Sequence, residues 1–220
     1  MKKISVIIPV YKQGGYVSEA IESVLAQTVK ADEIIVINDG SPDASSVIAK
    51  GYPVRVIDQV NKGLASARNT GIMNSSGDYI QPLDADDKML ENCLEKIHQK
   101  IEETDADIVA PSFKNFGIDN SDVILMENPT IADFKIANRI GYFSAIKRSA
   151  LLEVGGYSPR MTWGYEDYHL WINLLSRGKK LVTMQDILIM YRVKEQSMIH
   201  EAQSHHVELM TQIVKDFPLI

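Results

Sequence analysis

Gly77-Asp78-Tyr79-Ile80-Gln81-Pro82-Leu83-Asp84-Ala85-Asp86-Asp87 runs from a short apolar segment into three carboxylates within four positions. In an extended chain Asp84 and Asp86 project to the same side, because side chains alternate with period two. Two like charges that close repel unless a positive group sits between them. A divalent cation meets that need, and Mg²⁺ characteristically takes one or two protein carboxylates and leaves positions for phosphate oxygens. The stretch therefore reads as a strand end able to hold a metal-bound diphosphate. Its competing reading is an acidic turn that closes the strand and caps a helix beginning near Lys88, since Asp is a good N-cap.

The chain upstream decides what kind of sheet this strand joins. Ile4-Ser5-Val6-Ile7-Ile8 is a nearly continuous apolar run of the sort buried on both faces in a parallel sheet, and Pro9 stops it. Past Gly14-Gly15, Val17, Ala20, Ile21, Val24 and Leu25 recur at helical spacing up to about Gln27. Ile34-Ile35-Val36-Ile37 is a second buried strand, ending in the turn Asn38-Asp39-Gly40-Ser41. Val54-Arg55-Val56-Ile57 is a third, and Asn61-Lys62-Gly63 leads into a helix over about Leu64 to Met73 before Tyr79-Ile80 opens the fourth. Strands alternating with helices imply βαβ units and a parallel sheet. In such sheets ligands gather beyond the carboxyl ends of the strands. Three such ends carry polar chemistry here: Pro9-Val10-Tyr11, Asn38-Asp39-Gly40 and Asp84-Ala85-Asp86.

Downstream, Leu90, Cys93, Leu94 and Ile97 mark a helix from Met89 to Ile101, and Asp107 to Ala110 a short strand. Residues 112–138 have weak periodicity but scattered apolar side chains, Phe113, Phe116, Ile118 and Phe134, and read as an excursion that shapes a specificity pocket. Ser149 to Val154 makes one or two helical turns before Gly155-Gly156. A helix with Tyr168, Trp171, Ile172 and Leu175 follows, with Glu166 and Asp167 in its first turn, where the helix dipole favours negative charge. Lys180 to Met184 and Ile187 to Arg192 read as two strands. Glu201 to Phe217 reads as a terminal helix with Val207, Met210, Ile213, Val214 and Phe217 on one face, a core stripe first and a partner or membrane surface second.

The 220 residues suit one domain with a substantial core, and 45% hydrophobic with 24% charged residues is a globular composition. The net charge of −6 gives no general attraction to nucleic acid or anionic lipid, so any phosphate must be held locally. Cys93 is the single cysteine and reads as a buried apolar side chain rather than a nucleophile. The apolar run after Met1-Lys2-Lys3 is too short for a signal-peptide core or a membrane span, which makes a cytoplasmic location the expectation.

Taken in order, Val6-Ile7-Ile8-Pro9-Val10-Tyr11, Asn38-Asp39-Gly40-Ser41-Pro42-Asp43, Asn61 to Asn69 (Asn-Lys-Gly-Leu-Ala-Ser-Ala-Arg-Asn), Leu83-Asp84-Ala85-Asp86-Asp87, Gly155-Gly156-Tyr157 and Gly164-Tyr165-Glu166-Asp167 resemble the family 2 glycosyltransferases of the GT-A fold. The resemblance runs from about Lys3 to Arg192. It implies an α/β fold with a Rossmann-like, mostly parallel central sheet flanked by helices. It also implies one domain over residues 1–220: a nucleotide-sugar half over about 1–110, an acceptor half over about 111–195 and the terminal helix over 200–217. The implied activity is inverting transfer of a sugar from a nucleoside diphosphate donor to an acceptor hydroxyl with Mn²⁺ or Mg²⁺. Carried over by position, Pro9 and Tyr11 line the nucleobase site and Asp39 accepts from a ring N–H. Arg68 approaches the base or diphosphate, Asp84 and the adjoining Ala85 lie along the nucleotide near the ribose, and Asp86 binds the metal. Asp167 is the base, and Trp163, Gly164 and Glu166 border the acceptor. Family members often carry a histidine soon after the Tyr-Arg pair, where this chain has Lys194. His200, His205 and His206 are further candidates for the metal shell, or else solvent-facing residues of the last helix.

The chemistry asks for parts of this kind. A departing nucleoside diphosphate gathers negative charge that a metal stabilises, and the attacking hydroxyl needs a carboxylate to take its proton. Asp39 with a stacking Tyr11 suits a pyrimidine bearing a ring N–H, which favours a UDP-sugar, although thymine and guanine present a comparable edge. The expected acceptor is a glycan or lipid-linked hydroxyl in surface polysaccharide or glycoconjugate synthesis. Two alternatives belong to other classes: a nucleotide-sugar-binding module without turnover, and a nucleotidyltransferase, whose Gly-rich phosphate loop is only partly matched by Pro9 to Gly15.

Overall fold

Every residue of β1 (Ile4–Val10) is buried, because the strand lies inside the sheet with helices against both faces. Ile4, Val6, Ile8 and Val10 share one apolar cluster with α1 (Val17–Leu25) and α4 (Cys93–Thr104). Ile7 points the other way, into the cluster that holds α3 (Leu64–Asn74) and α7 (Glu166–Ser176). The remaining helices are α2 (Ser45–Ala49), α5 (Ile131–Phe134), α6 (Arg148–Val154) and α8 (His206–Asp216). The computed structural model describes residues 1–195 and 202–218.

β1 pairs in parallel with β2 (Glu33–Asp39) and β4 (Tyr79–Pro82), and β2 in parallel with β3 (Arg55–Gln59). This is the parallel half that the alternating pattern requires. Beyond β4 the sheet becomes mixed. β8 (Ala145–Lys147) runs antiparallel to β4 and to β6 (Ile108–Gly117), β6 runs parallel to β9 (Leu181–Val193), and β5 (Lys88–Met89) closes the edge antiparallel to β9. The order is β3-β2-β1-β4-β8-β6-β9-β5, with β7 (Asp122–Val123) paired to β6.

Four expectations are corrected here. No helix begins near Lys88: Lys88 and Met89 pair with Met190 and Ile189, and helix starts only at Cys93. The short strand at Asp107 continues to Gly117 and takes up the start of the 112–138 excursion, because its backbone finds a partner along the whole of β9. The two strands expected over 180–192 are one. Register shifts flanking Ser112 absorb Gln185 and Asp186, the polar pair that reads as a break in the sequence. In α8 the inward residues are Leu209 and Ile213, with Met210 and Phe217 packed alongside, whereas Val207 and Val214 are 78% and 63% exposed. The helix carries two overlapping apolar stripes, and packing against the α7 side selects the one through Leu209. The expected start of this helix at Glu201 lies outside the described residues. Cys93 is buried as expected, and burial pushes its thiol well up from its ordinary value. Among the described residues no helix is long and apolar enough to cross a membrane.

Candidate active site

The three polar strand ends converge as the sheet rule requires. Pro9, Tyr11, Asp39, Asp84, Ala85 and Asp86 all line one cavity of about 360 Å³ at the carboxyl edge of the parallel half. Tyr11 is 42% exposed on its wall, with Lys12 Nζ over the ring at 5.2 Å from its centre. Asp39 is held from the protein side. Its carboxylate accepts from Gln59 Nε2 at 2.7 Å and from the backbone N–H groups of Lys62 and Gly63 at 2.9 Å each. Only 3% exposed, the side chain is fixed by these three donors where it lines the cavity. Gly40, at φ +66°, lets the turn pass Asn61, whose backbone nitrogen a Cβ would strike.

The acidic cluster divides into three environments. Asp84 Oδ1 accepts from Arg68 Nη2 at 2.8 Å, yet burial pushes its carboxyl up to about 6 against the pull of that guanidinium, with Asp86 adding to the rise. Asp86 Oδ2 is paired with Lys194 Nζ at 2.5 Å, and its backbone carbonyl accepts from Arg192 Nε. Asp87 faces inward. It accepts from Tyr142 Oη and from the Arg192 backbone N–H, and burial together with Asp86 and Asp84 raises its carboxyl well above the usual range. Asp87 therefore anchors the loop, while Asp84 and Asp86, with side chains 25% and 18% exposed, are the less enclosed carboxylates of the cavity wall.

The resemblance brings Arg68 toward the base or diphosphate; in the structure it lines a second cavity, at the start of α7, and not the first. Only 1% exposed, its guanidinium bridges Asp84 and Glu166 and lies against the rings of Tyr142 and Tyr157. Burial alone would pull it down, but the two carboxylates hold it well above its ordinary value. Both ends of the fork face carboxylates rather than an open nucleotide pocket. Glu166, expected at the acceptor, is correspondingly the buried partner of Arg68, although it also lines the acceptor-side cavity.

That second cavity, of about 710 Å³, is lined by Gly164, Glu166 and Asp167 at the start of α7. The helix entry is unusual: Gly164 has φ +125° and Tyr165 φ +60°. A bulky residue in the left-handed region is rare and is held only where surroundings enforce it. Here the turn delivers Glu166 to Arg68 and Asp167 to the cavity. Asp167 Oδ1 accepts the N–H of Tyr168 at 2.7 Å, and Oδ2 accepts from Asn138 Nδ2 at 3.0 Å. Burial, and then the charge of Glu166, raise its carboxyl to about 7. A base poised near neutrality has the proton affinity that general-base chemistry wants. Trp163 stacks on His205 with centroids 4.4 Å apart, beside the cavity rather than in its wall.

The cavities of Asp86 and Asp167 adjoin, with Leu64, Asp84 and Tyr191 in the walls of both. Tyr191 feels both ends: burial first, then Asp87, Asp84, Asp86 and Asp167, raise its hydroxyl. Among the described residues no three His, Cys, Asp or Glu side chains are grouped to hold a metal ion by themselves. His205 pairs with Glu208, and His206 meets Tyr165 Oη at 3.0 Å on the acceptor side, so neither lies in the wall around Asp86; His200 lies outside the described residues. One outward carboxylate completed by diphosphate oxygens is a normal set for Mg²⁺. The residues present thus fit a cation that arrives with a diphosphate. Tyr142 and Asn138 gave no signal of their own in the sequence, since each acts through a partner distant in the chain.

Comparison with known proteins agrees with this geometry. GlyG and GlyA, glycosyltransferases of Streptococcus pneumoniae, are 42% and 41% identical over 125 and 119 residues, or 54% and 52% of this chain. The chain spans only 41% and 17% of their lengths. An uncharacterized glycosyltransferase of Haemophilus influenzae is 30% identical over 207 residues, covering 87% of this chain and 76% of its own. The crystal structure of S. aureus TarS in complex with UDP-GlcNAc superposes with a TM-score of 0.84 over 96% of this chain and 65% of that one, at 18% identity, a likeness that establishes the GT-A fold. The model of the family described as Glycosyl transferase family 2 matches residues 5–169, three quarters of the sequence and both cavities' signature turns, and the chain belongs to that family.

Proposed function

We propose that this glycosyltransferase moves a sugar from a nucleoside diphosphate sugar, a UDP-sugar by preference, to an acceptor hydroxyl with inversion, in the synthesis of a surface polysaccharide or glycoconjugate at the cytoplasmic side. The observation that carries the reading is that the cavity holding Asp86 and the cavity holding Asp167 adjoin across Leu64, Asp84 and Tyr191. TarS, solved with UDP and with UDP-GlcNAc, supports the choice of donor.

In this reading Pro9, Tyr11 and Asp39 hold the base, Ala85 and Asp84 flank the ribose, and Asp86 with the diphosphate oxygens holds Mn²⁺ or Mg²⁺. Bound there, the cation would neutralise charge on the departing diphosphate. Asp167 takes the proton of the acceptor hydroxyl as its oxygen attacks the anomeric carbon from the face opposite the leaving group, so a single displacement inverts that centre. Glu166, paired with Arg68, raises the proton affinity of Asp167 beside it. Gly164, with Trp163 at the rim, borders the acceptor.

The test is thermal. UDP with Mn²⁺ raises the melting temperature of the wild-type chain, and Asp86→Ala removes that rise. Asp167→Asn keeps the rise but loses transfer, by about 10²-fold or more for a lost general base. A chain indifferent to UDP, GDP, CDP and dTDP overturns the proposal. Pyrophosphate released from a nucleoside triphosphate and a sugar phosphate would replace it with a nucleotidyltransferase.

A further inference from the structure

Lys194 is the residue whose placement the proposed transfer does not yet explain. Its ammonium sits on Asp86 Oδ2, the carboxylate assigned to the metal, and 5.1 Å from the centre of the Tyr16 ring. Both members of the pair line the donor cavity. The two side chains keep 27% and 18% exposure, so the pair stands at the rim, in reach of an entering ligand.

The charges around that cavity are unbalanced. Asp39, Asp84, Asp86 and Asp87 line it, against Arg192 and Lys194. Asp39 is satisfied by three donors, Asp84 by Arg68, and Asp87 by Tyr142 and a backbone N–H. Arg192 is fixed at both ends, by the Asp86 carbonyl through Nε and by Glu19 through Nη2, with its plane between Tyr16 and Phe116. Lys194 is different: among the described residues one ion pair, to Asp86, and the Tyr16 ring hold it, on a flexible four-carbon stem. A divalent cation and this ammonium cannot both sit on Asp86 Oδ2, since like charges at such range repel. Whichever leaves that oxygen finds the diphosphate as the next anion along the same wall.

Building on the donor site proposed above, we propose that Lys194 is an exchangeable cation of that site. It neutralises Asp86 while the cavity is empty and transfers to the donor's diphosphate when a nucleotide enters. Lys194 therefore gives the chain a protein-borne positive charge for diphosphate that does not depend on metal, and it competes with metal for Asp86 when no nucleotide is bound. The two roles have opposite signs in one variant, which separates them from a merely structural ion pair.

The experiment measures two affinities in the wild-type chain, in Lys194→Met, which keeps the stem, and in Lys194→Arg. UDP binding is followed by calorimetry in excess EDTA, and Mn²⁺ binding without nucleotide by the electron paramagnetic resonance signal of free Mn²⁺. In Lys194→Met, UDP in EDTA binds about tenfold or more weakly, the loss expected for one charge-assisted contact. In the same variant Mn²⁺ alone binds several-fold more tightly. Lys194→Arg stays near wild type in both, and in an Asp86→Ala background Lys194→Met no longer changes Mn²⁺ binding. Weakening of both ligands together with a lowered melting temperature, or no change in either, overturns the exchange. A wild-type chain that binds UDP neither in EDTA nor with Mn²⁺ instead removes the donor site itself, and the proposed function with it.

Discussion

In the proposed role of Asp167 two demands pull against each other. A general base must be ionised to work, but this carboxyl is raised to about 7, first by burial and then by the charge of Glu166 beside it. The sign follows directly: below that value the group holds its proton and cannot accept another, so transfer climbs as pH rises through about 7 and levels above it. Asn138 works in the other direction. Its amide donates to Asp167 Oδ2 at 3.0 Å and favours the ionised form, which makes it a positioning residue for the base. Asn138→Ala is expected to move the acid limb of the pH profile upward by about one pH unit, since one unit equals about 1.4 kcal/mol, the order of a hydrogen bond to a charged group. Activity should recover at alkaline pH. An unshifted profile with uniformly lower kcat would mean that Asn138 only shapes the acceptor wall.

At the scale of elements, α3 does more than cover the sheet. Gly71 brings it onto β1, where any Cβ would run into the side chain of Ile7. Its Arg68 reaches the first turn of α7, and Asn69 clasps the loop before that helix: Nδ2 donates to the Tyr157 carbonyl and Oδ1 accepts the Tyr157 N–H, both at 2.8 Å. Gly156 is tied to the same contact, because a Cβ there would meet Asn69 Oδ1. Two motifs nearly ninety positions apart, Asn61 to Asn69 and Gly155-Gly156-Tyr157, thus form one joint between α3 and the loop that leads to α7. Asn69→Ala removes both bonds and leaves Tyr157's backbone groups unpaired, with an expected loss of about 2 to 3 kcal/mol in urea unfolding. A loss under about 0.5 kcal/mol, the scale of an ordinary surface substitution, would show that water replaces the clasp. The motifs were legible in the sequence, but this physical role was not, because spacing along the chain says nothing about which turn meets which. The same limit applies to Arg68, whose carboxylate partners lie sixteen and ninety-eight positions away. Long β-branched runs such as Ile34 to Ile37 announced the parallel strands, because burial on both faces leaves a continuous apolar signature. β5, β7 and β8 are two or three residues long, shorter than any periodicity can register, and exist because neighbouring strands offer them partners.

Over the whole molecule the sheet changes character where the chemistry changes. Its parallel half ends in the turns that line the donor cavity, and the mixed half backs the excursion around the acceptor side. The last helix lies on the side of the Asp167 cavity. Leu209 and Ile213 of α8 join the cluster of Leu170 and Trp171, and His206 and Met210 line the cavity of Asp167, while no residue of α8 lines the donor cavity. Polar ties are few: Asp216 meets His169 and Arg160, and His206 meets Tyr165. A segment docked mainly by two apolar side chains opens locally at a smaller free energy than the whole chain. Leu209→Ala combined with Ile213→Ala removes about 2 to 5 kcal/mol per site from that docking, enough to free α8 while the sheet stays folded. The UDP-induced rise in melting temperature should then persist, with UDP affinity within about threefold of wild type, a change under 1 kcal/mol. Transfer to acceptor should fall by about tenfold or more, since a wall beside the base is gone, whereas slow donor hydrolysis by water, which needs no acceptor site, should survive. Loss of UDP binding together with transfer would mean that α8 holds the entire fold together rather than one side of the cleft.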